Sequence, residues 1–415
     1  MNRRYCIYRR TLICACTATV IGMCILFCVR VFAKLPDEIK IIGGRDEQLA
    51  LHVPVTGEIY TEASSNSVKA RLNEPVTFHT SGAGTYTMNC RLFGIIPIKN
   101  VDLYVVEDVN LIPAGIPIGI YVETDGILVI GTGKVQGIDG LDYDPAAQLL
   151  QSGDYIERVN GMSVRDKQDL ITAVNACGGN DLILDIRRNG ERFPIKISPV
   201  ITKEEEYKLG VWVRDNIQGI GTLTFVNQEA VFGALGHGIN DMDTSMLMEV
   251  DGGTLYQTEI ISVVKGESGN PGELTGVISY LDENVLGEIT LNTKRGIFGV
   301  GNEELLSEVS GEALPIGLKQ DIRVGEAQII SSFNGEKEAY QIEITKVDLL
   351  TESVNRGIVL RVTDERLLAE TGGIVQGMSG SPIIQDGKIV GAVTHVFVQD
   401  ASKGYGIFIE EMLEW

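Results

Sequence analysis

The chain has 415 residues, 44% hydrophobic and 6% aromatic, enough to bury more than one core, so two or three domains are expected. Its formal charge is −21, and six of the 35 basic side chains fall in the first 34 residues, which hold no acid. The acidic remainder offers no basic face to phosphates, which excludes a nucleic-acid partner.

The chain opens with "MNRRYCIYRRTLICACTATVIGMCILFCVRVFA". Arg3, Arg4, Arg9 and Arg10 precede an uncharged run from Thr11 to Val29, close to the roughly 20 residues that cross a bilayer as a helix. Positive charge stays on the cytoplasmic side, so residues 1–34 read as a cytoplasmic tail and membrane segment with the bulk of the chain extracytoplasmic. Val31-Phe32-Ala33 offers the alternative of a cleaved signal peptide, and both routes translocate the rest of the chain. Five of the seven cysteines lie in or beside this segment, and Cys14-x-Cys16 has no company of metal-ligand type, so no metal site is expected. Cys90 and Cys177 remain, either as a disulfide or as two free thiols.

Beyond the segment, 48 glycines and 12 prolines punctuate a chain of short strands. Residues 35–112 read as a small β region, because "EIKIIGG", "VPVTGEIY" and "VDLYVVEDV" alternate apolar and polar side chains. His52 and His79 in that region read as surface or packed side chains, with no chemistry attached. Residues 113–200 combine a short strand "PIGIYVE", the stretch "DPAAQLLQSGDYIERVNGMSV" and an amphipathic helix "DKQDLITAVNA" with Leu170, Ile171 and Val174 on one side. A hairpin "LILDIRRNGERFPIKI" comes next, turned at Asn189-Gly190. This order, and "QSGDYIERVNG" in it, resembles a PDZ domain. The resemblance implies a groove that takes an extended peptide as an added strand, with the backbone amides of Pro117-Ile118-Gly119-Ile120 receiving a terminal carboxylate. The alternative is a docking module whose groove is filled by its own chain.

Residues 201–415 carry the chemistry. "VFGALGHGIND" sets His237 between glycines at the end of an apolar run, and "GMSGSPII" sets Ser379 in a Gly-x-Ser-Gly-x-Pro turn before a strand. Glycines beside a serine allow a sharp backbone path that exposes its Oγ. They also leave the amides of Gly377 and Ser379 facing the site as donors to an oxyanion. A serine hydroxyl needs a base, and histidine suits that task near neutrality. His237 is the preferred base, because His395 in "GAVTHVFV" alternates within a strand sixteen residues after Ser379. Asp364 is the preferred acid, giving the order His, Asp, Ser; it reads equally as the N-cap of "ERLLAE", and Asp243 or Asp241 are the other acids considered. Ser381 reads as a turn residue hydrogen-bonded ahead of Pro382.

Taken together, "RLFGIIPIKNVDLYVVEDV", the PDZ-like segment, "FGALGHGI" and "GGIVQGMSGSPIIQDGKIVGAVTHV" resemble the SpoIVB peptidases of endospore-forming bacteria. The resemblance implies a mostly β chain: membrane segment, small β region, PDZ-like α+β domain and, over 201–415, a trypsin-like β-barrel peptidase domain. It implies a serine endopeptidase that needs no cofactor, with Ser379 as nucleophile, His237 as base and Asp364 as acid. It also implies secretion across the forespore membrane, self-cleavage, and cleavage of the extracytoplasmic part of a regulatory membrane complex that inhibits a sigma-factor-processing metalloprotease. The PDZ domain would then hold partner or self peptides. The reading from another class is a membrane-tethered PDZ adaptor without catalysis.

Overall fold

The computed structural model describes residues 3–61, 64–79, 84–309 and 311–414, and they divide into two compact units. The first comprises residues up to Val109 with two returning segments, Ile316–Ile322 and Asp348–Glu352. It begins with helix α1 (Arg3–Lys34), which stops ahead of Leu35-Pro36, as a residue preceding proline resists the helical region. Besides a two-stranded pair, Asp46–Leu49 with Val76–His79, five strands come after it: β1 (Glu38–Ile42), β2 (Val55–Thr61), β3 (Ser64–Arg71), β4 (Gly84–Leu92) and β5 (Ile96–Val106). They form one sheet in the order β1-β5-β4-β2-β3, with β1 parallel to β5 and the other pairs antiparallel. The alternation seen in sequence puts Ile39, Ile41, Met88, Val101 and Leu103 into one core, joined by Val31 and Leu35 from the end of α1. His52 lies at the surface, and the His79 side chain falls outside the described ones.

The second unit holds two barrels and the PDZ-like module. Strands β6 (Asn110–Pro113) and β7 (Pro117–Thr132) open it, and the module continues as β8 (Tyr155–Val159), α2 (Lys167–Ala176), β9 (Leu182–Arg188) and β10 (Glu191–Ile197). Asp166 caps α2 by accepting from Asp169 N. Leu170 and Val174, four apart, enter the module's core, whereas Ile171 turns out to be exposed, since it lies off that face. The chain then returns along β11 (Val211–Val226), which runs antiparallel to β7 from Val211↔Thr132 to Thr222↔Pro117.

This ribbon changes the expected domain order. The inner half of β7 belongs to a ring completed by β11, β12 (Val231–Ala234), β13 (Val250–Val264), β14 (Val285–Thr293) and β15 (Gly296–Gly301), paired β7-β13-β14-β15-β12-β11 and back to β7. Ile118, Ile120, Val122, Leu223, Phe232, Leu255 and Ile297 fill it. The PDZ-like module is therefore inserted into the first barrel at the end of a two-stranded ribbon, and residues 113–126 belong with the peptidase half. The outer half of β7 supplies Ile127 and Val129 to the module's core. A second closed barrel is built from β16 (Gly325–Ser331), β17 (Glu338–Val347), β18 (Ile358–Val362), β19 (Pro382–Gln385), β20 (Lys388–Phe397) and β21 (Asp400–Phe408). Helix α3 (Glu365–Thr371) leads into the loop before β19. The architecture is mostly β with two six-stranded barrels, as the trypsin-like reading requires.

Candidate active site

The two barrels bring together the two segments singled out in sequence. On the first barrel, the chain leaves β12 through Leu235 and Gly236, both at positive φ (69° and 68°), and so presents His237 at the barrel's end. A leucine held in the left-handed region is strained, and such strain concentrates at sites that need a particular side-chain direction. On the second barrel, Gly377 (φ 97°) and Gly380 (φ 102°) bend the chain around Ser379 just before β19. The turn is held from across the junction: Thr222 N donates to Ser379 O at 3.0 Å, and Thr222 Oγ1 donates to Gly377 O at 2.7 Å.

His237, Ser379 and His395 line one cleft of about 530 Å³ with Ile120, Gly377 and Thr394. His237 is half-buried, and its Nδ1 lies 3.0 Å from Gly238 O. A carbonyl only accepts, so Nδ1 carries the proton and Nε2 keeps its lone pair. Burial lowers the His237 pKa below its ordinary 6.5, against the opposing pull of the Gly238 bond. The His395 ring stands 5.0 Å from that of His237, centroid to centroid, tilted by 37°. Its pKa falls to about 4, chiefly by loss of water on the side facing the protein and then by repulsion from His237 and Arg356, although an edge of the ring stays exposed.

Ser379 Oγ donates to Thr394 O at 2.7 Å, so the hydroxyl rests on β20 and is not engaged with His237. The amides of Gly377 and Ser379 donate to no acceptor among the described residues, whereas those of Met378 and Gly380 are taken by Val375 O and Val393 O. Two open N–H groups thus flank the serine. Ser381 makes the turn hydrogen bond expected of it, its N donating to Met378 O at 3.0 Å, while its side chain is fully buried with Oγ unpartnered.

The acid expected in the triad is elsewhere. Asp364 is the N-cap of α3, accepting from Arg366 N and Leu367 N, and its Oδ2 takes Gln341 N and the Arg366 guanidinium. Burial works against ionisation, but these bonds hold its carboxyl below 3.8. The capping alternative is the one realised, because three backbone donors and a guanidinium saturate the carboxylate and leave nothing for an imidazole. Asp241 and Asp243 are also committed: both pair with Arg214, and Asp241 Oδ1 accepts from Asp243 N and Thr244 N. Gly238 O therefore occupies the position at Nδ1 that a carboxylate was expected to fill.

The carboxylate loop expected at Pro117-Ile118-Gly119-Ile120 is likewise displaced. These residues form a strand with both edges occupied, Ile118 facing Gly221 and Gln257, and Ile120 facing Gly219 and Leu255. Their amides are spent on a sheet, and Ile118 and Ile120 are core. The segment that enters a module strand beside α2 is instead Tyr207-Lys208-Leu209-Gly210: Tyr207 and Lys208 pair with Ile201 and Val200, Leu209 and Gly210 (φ 67°) are irregular, and Tyr207 N donates to Asn175 Oδ1 of α2. The glycine in "YKLGVWV" was the sequence signal for it.

Among the described residues no cluster of His, Cys, Asp and Glu could hold a metal ion, and Cys90 and Cys177 are free thiols. A charge network centred on the buried Arg187 ties the module to the loop after His237: Arg187 pairs with Glu157 and with half-exposed Asp125 and Glu249, and Glu249 N donates to Tyr155 Oη.

No curated protein matches this chain. Among solved structures, Rv3671c protease of M. tuberculosis in its active form is similar at 17% identity over 48% of this chain and 72% of that one, TM-score 0.26. The HtrA-type protease AlgW with a tripeptide shows 14% identity over 48% and 54%, TM-score 0.26. The PDZ domain of an SdrC-like protein from Listeria monocytogenes shows 21% over 22% and 90%, TM-score 0.18. At such scores the description of fold and site rests on the chain's own geometry. The SpoIVB peptidase S55 model matches residues 205–413, half of the chain, and that span holds the histidine turn, the serine turn and most of both barrels. With a hydroxyl, an imidazole and two open amides meeting inside the matched span, the chain belongs to the SpoIVB peptidase S55 family and is a serine endopeptidase.

Proposed function

We propose that Ser379 is the nucleophile and His237 its base, and that the substrate is the extracytoplasmic part of a regulatory membrane complex in the sporulating cell. The observation that carries this reading is the shared cleft, in which Ser379 Oγ, the His237 ring and the open amides of Gly377 and Ser379 converge. An extended substrate laid beside Thr394–Val396 donates its own amide to Thr394 O and so releases the Ser379 hydroxyl to swing toward His237. Nε2 takes the proton while Oγ adds to the peptide carbonyl, and the Gly377 and Ser379 amides hold the oxyanion. The imidazolium then gives that proton to the leaving amine, the acyl-enzyme remains, and water repeats the sequence to free Ser379. Gly238 O keeps the imidazole in the tautomer this requires, and Asp364 contributes through the fold of α3.

The N-terminal helix holds the enzyme at the forespore membrane with its catalytic part outside the cytoplasm, and the chain processes itself as well as its target, signalling to the mother-cell sigma factor. The PDZ-like module takes a peptide terminus at Leu209-Gly210, where the chain enters β11, along the edge of that strand that faces α2. In purified chain, Ser379→Ala and His237→Ala are expected to abolish cleavage and labelling by a serine-directed phosphonate while leaving the melting curve in place. Turnover retained in Ser379→Ala overturns the assignment, and peptide binding without turnover in the unsubstituted chain selects the adaptor reading.

A further inference from the structure

The hairpin turn between β4 and β5 spends free energy without any return from folding. Leu92 O accepts from Ile95 N at 3.0 Å, with Phe93 at φ 51° and Gly94 at φ 75°, a turn in which asparagine or aspartate ordinarily fills the first position. A bulky aromatic at positive φ is strained there. Its side chain is 65% exposed, followed by Ile95 at 77% and Ile96 at 50%, so three large apolar side chains project from one tip and pack into no core. Isolated exposed apolar residues are ordinary, but a run at the tip of a strained turn marks a surface that meets something apolar.

The surroundings say what that is. The Phe93 ring stacks on Phe27 of α1, centroids 6.3 Å apart and planes within 8°. Phe27 lies two residues inside the end of the uncharged run Thr11–Val29, whose nineteen residues span about 28 Å of helix, the thickness of a hydrocarbon core. Apart from the contacts at Phe27 and Cys28 near its outer end, the apolar stretch of α1 is uncovered by protein, and it is long and apolar enough to cross a membrane. The helix is pinned at its outer end, because Val31 and Leu35 enter the core of the small β domain. Lys99 Nζ donates to Leu35 O at 2.8 Å and lies 4.9 Å above the Phe32 ring. The tip therefore sits level with the outermost turn of the membrane span, with Arg30 and Lys34 of α1 at headgroup height.

We propose that the Phe93-Gly94-Ile95-Ile96 turn is a second membrane anchor, a wedge of aromatic and aliphatic side chains inserted at the boundary between acyl chains and headgroups of the bilayer that α1 crosses. Together helix and wedge hold the small β domain on the membrane at two points, which limits its rotation about α1. The inference is independent of the serine chemistry. It goes beyond single-pass anchoring by assigning a lipid contact to the extracytoplasmic domain itself.

The test uses full-length chain reconstituted into phosphatidylcholine/phosphatidylglycerol vesicles, with Phe93→Trp, Ile95→Trp and, as a depth reference, Phe27→Trp made separately. The signal of the unsubstituted chain, with Trp212 and Trp415, is subtracted. Lipids brominated on the acyl carbons nearest the glycerol are expected to quench Phe93→Trp and Ile95→Trp as fully as Phe27→Trp. Quenching of Phe27→Trp alone, with the turn variants emitting as in water, overturns the proposal. Blue-shifted but unquenched emission from the turn variants also overturns it, by showing that protein, a second copy or a partner, covers the tip. So does failure to quench all three.

Discussion

Gly380→Ala tests the junction that positions the nucleophile. Gly380 stands at φ 102°, where an alanine is disfavoured by about 1–2 kcal/mol. Its added Cβ would lie 2.0 Å from Thr222 O and 2.6 Å from Leu235 N, and the first of these is about 1.4 Å short of ordinary contact. Both are backbone atoms of the first barrel, joined by the Leu235 N to Thr222 O bond at 3.2 Å, and Thr222 also anchors Ser379 O and Gly377 O. Relief of the clash thus separates the barrels at the serine turn and loses two or three hydrogen bonds of about 1 kcal/mol each. The total is roughly 4 kcal/mol, in the range reserved for a named structural lesion. Gly387→Ala is the control, since Gly387 is at φ 75° with nothing within 4 Å of its added Cβ, leaving only the conformational cost of about 1–2 kcal/mol. Thermal unfolding reads the difference, at about 2–4 °C per kcal/mol for a unit of this size, and phosphonate labelling of Ser379 reads the site. Equal melting temperatures for the two variants, with Gly380→Ala labelling at the unsubstituted rate, refute this account of the serine turn.

Four further outcomes are expected. The acid limb of kcat/KM falls below pH 6.5, because burial lowers the His237 pKa and the base stays neutral to lower pH; a limb above 6.5 in a pH–rate profile counts against His237 as the base. Thr222→Val removes the 2.7 Å bond to Gly377 O and lowers kcat roughly five-fold with little change in KM, as steady-state kinetics will report. Asp364→Ala loses the cap of α3 and the partner of Arg366, destabilising by about 2 kcal/mol in denaturant unfolding. The acid limb of its pH–rate profile stays in place. Arg187→Met removes the buried guanidinium from half-exposed Asp125 and Glu249 and leaves Glu157 to Arg192 alone, destabilising the PDZ-like module by about 1–2 kcal/mol, seen as faster hydrogen exchange in β8 and β9.

Period and punctuation made much of this molecule readable from the chain alone. The strands of residues 35–112 follow from apolar alternation, α1 from an uncharged run flanked by arginines, and the sharp turn around Ser379 from glycines whose positive φ no other residue adopts cheaply. Those are local properties, decided within a few residues. The choice of His237 also came locally, from the glycine at 236 that turns the chain out of β12.

Tertiary structure decided what depends on which strand lies beside which. Pro117–Ile120 has the text of a glycine turn, but β11 and β13 claim both its edges and make it barrel core. The PDZ-like module comes after β7 in sequence, yet the ribbon with β11 makes it an insertion, because distant residues pair along two sixteen-residue strands. Asp364 precedes Ser379 in the order a triad allows, and no local pattern distinguishes an acid that reaches an imidazole from one that caps a helix. That depends on where Gln341 N and Arg366 lie around it. The sequence determines which groups can do chemistry, since that is written in residue type and backbone freedom; only the closed barrels determine which of them meet, since strand pairing is a long-range contest for hydrogen bonds and burial.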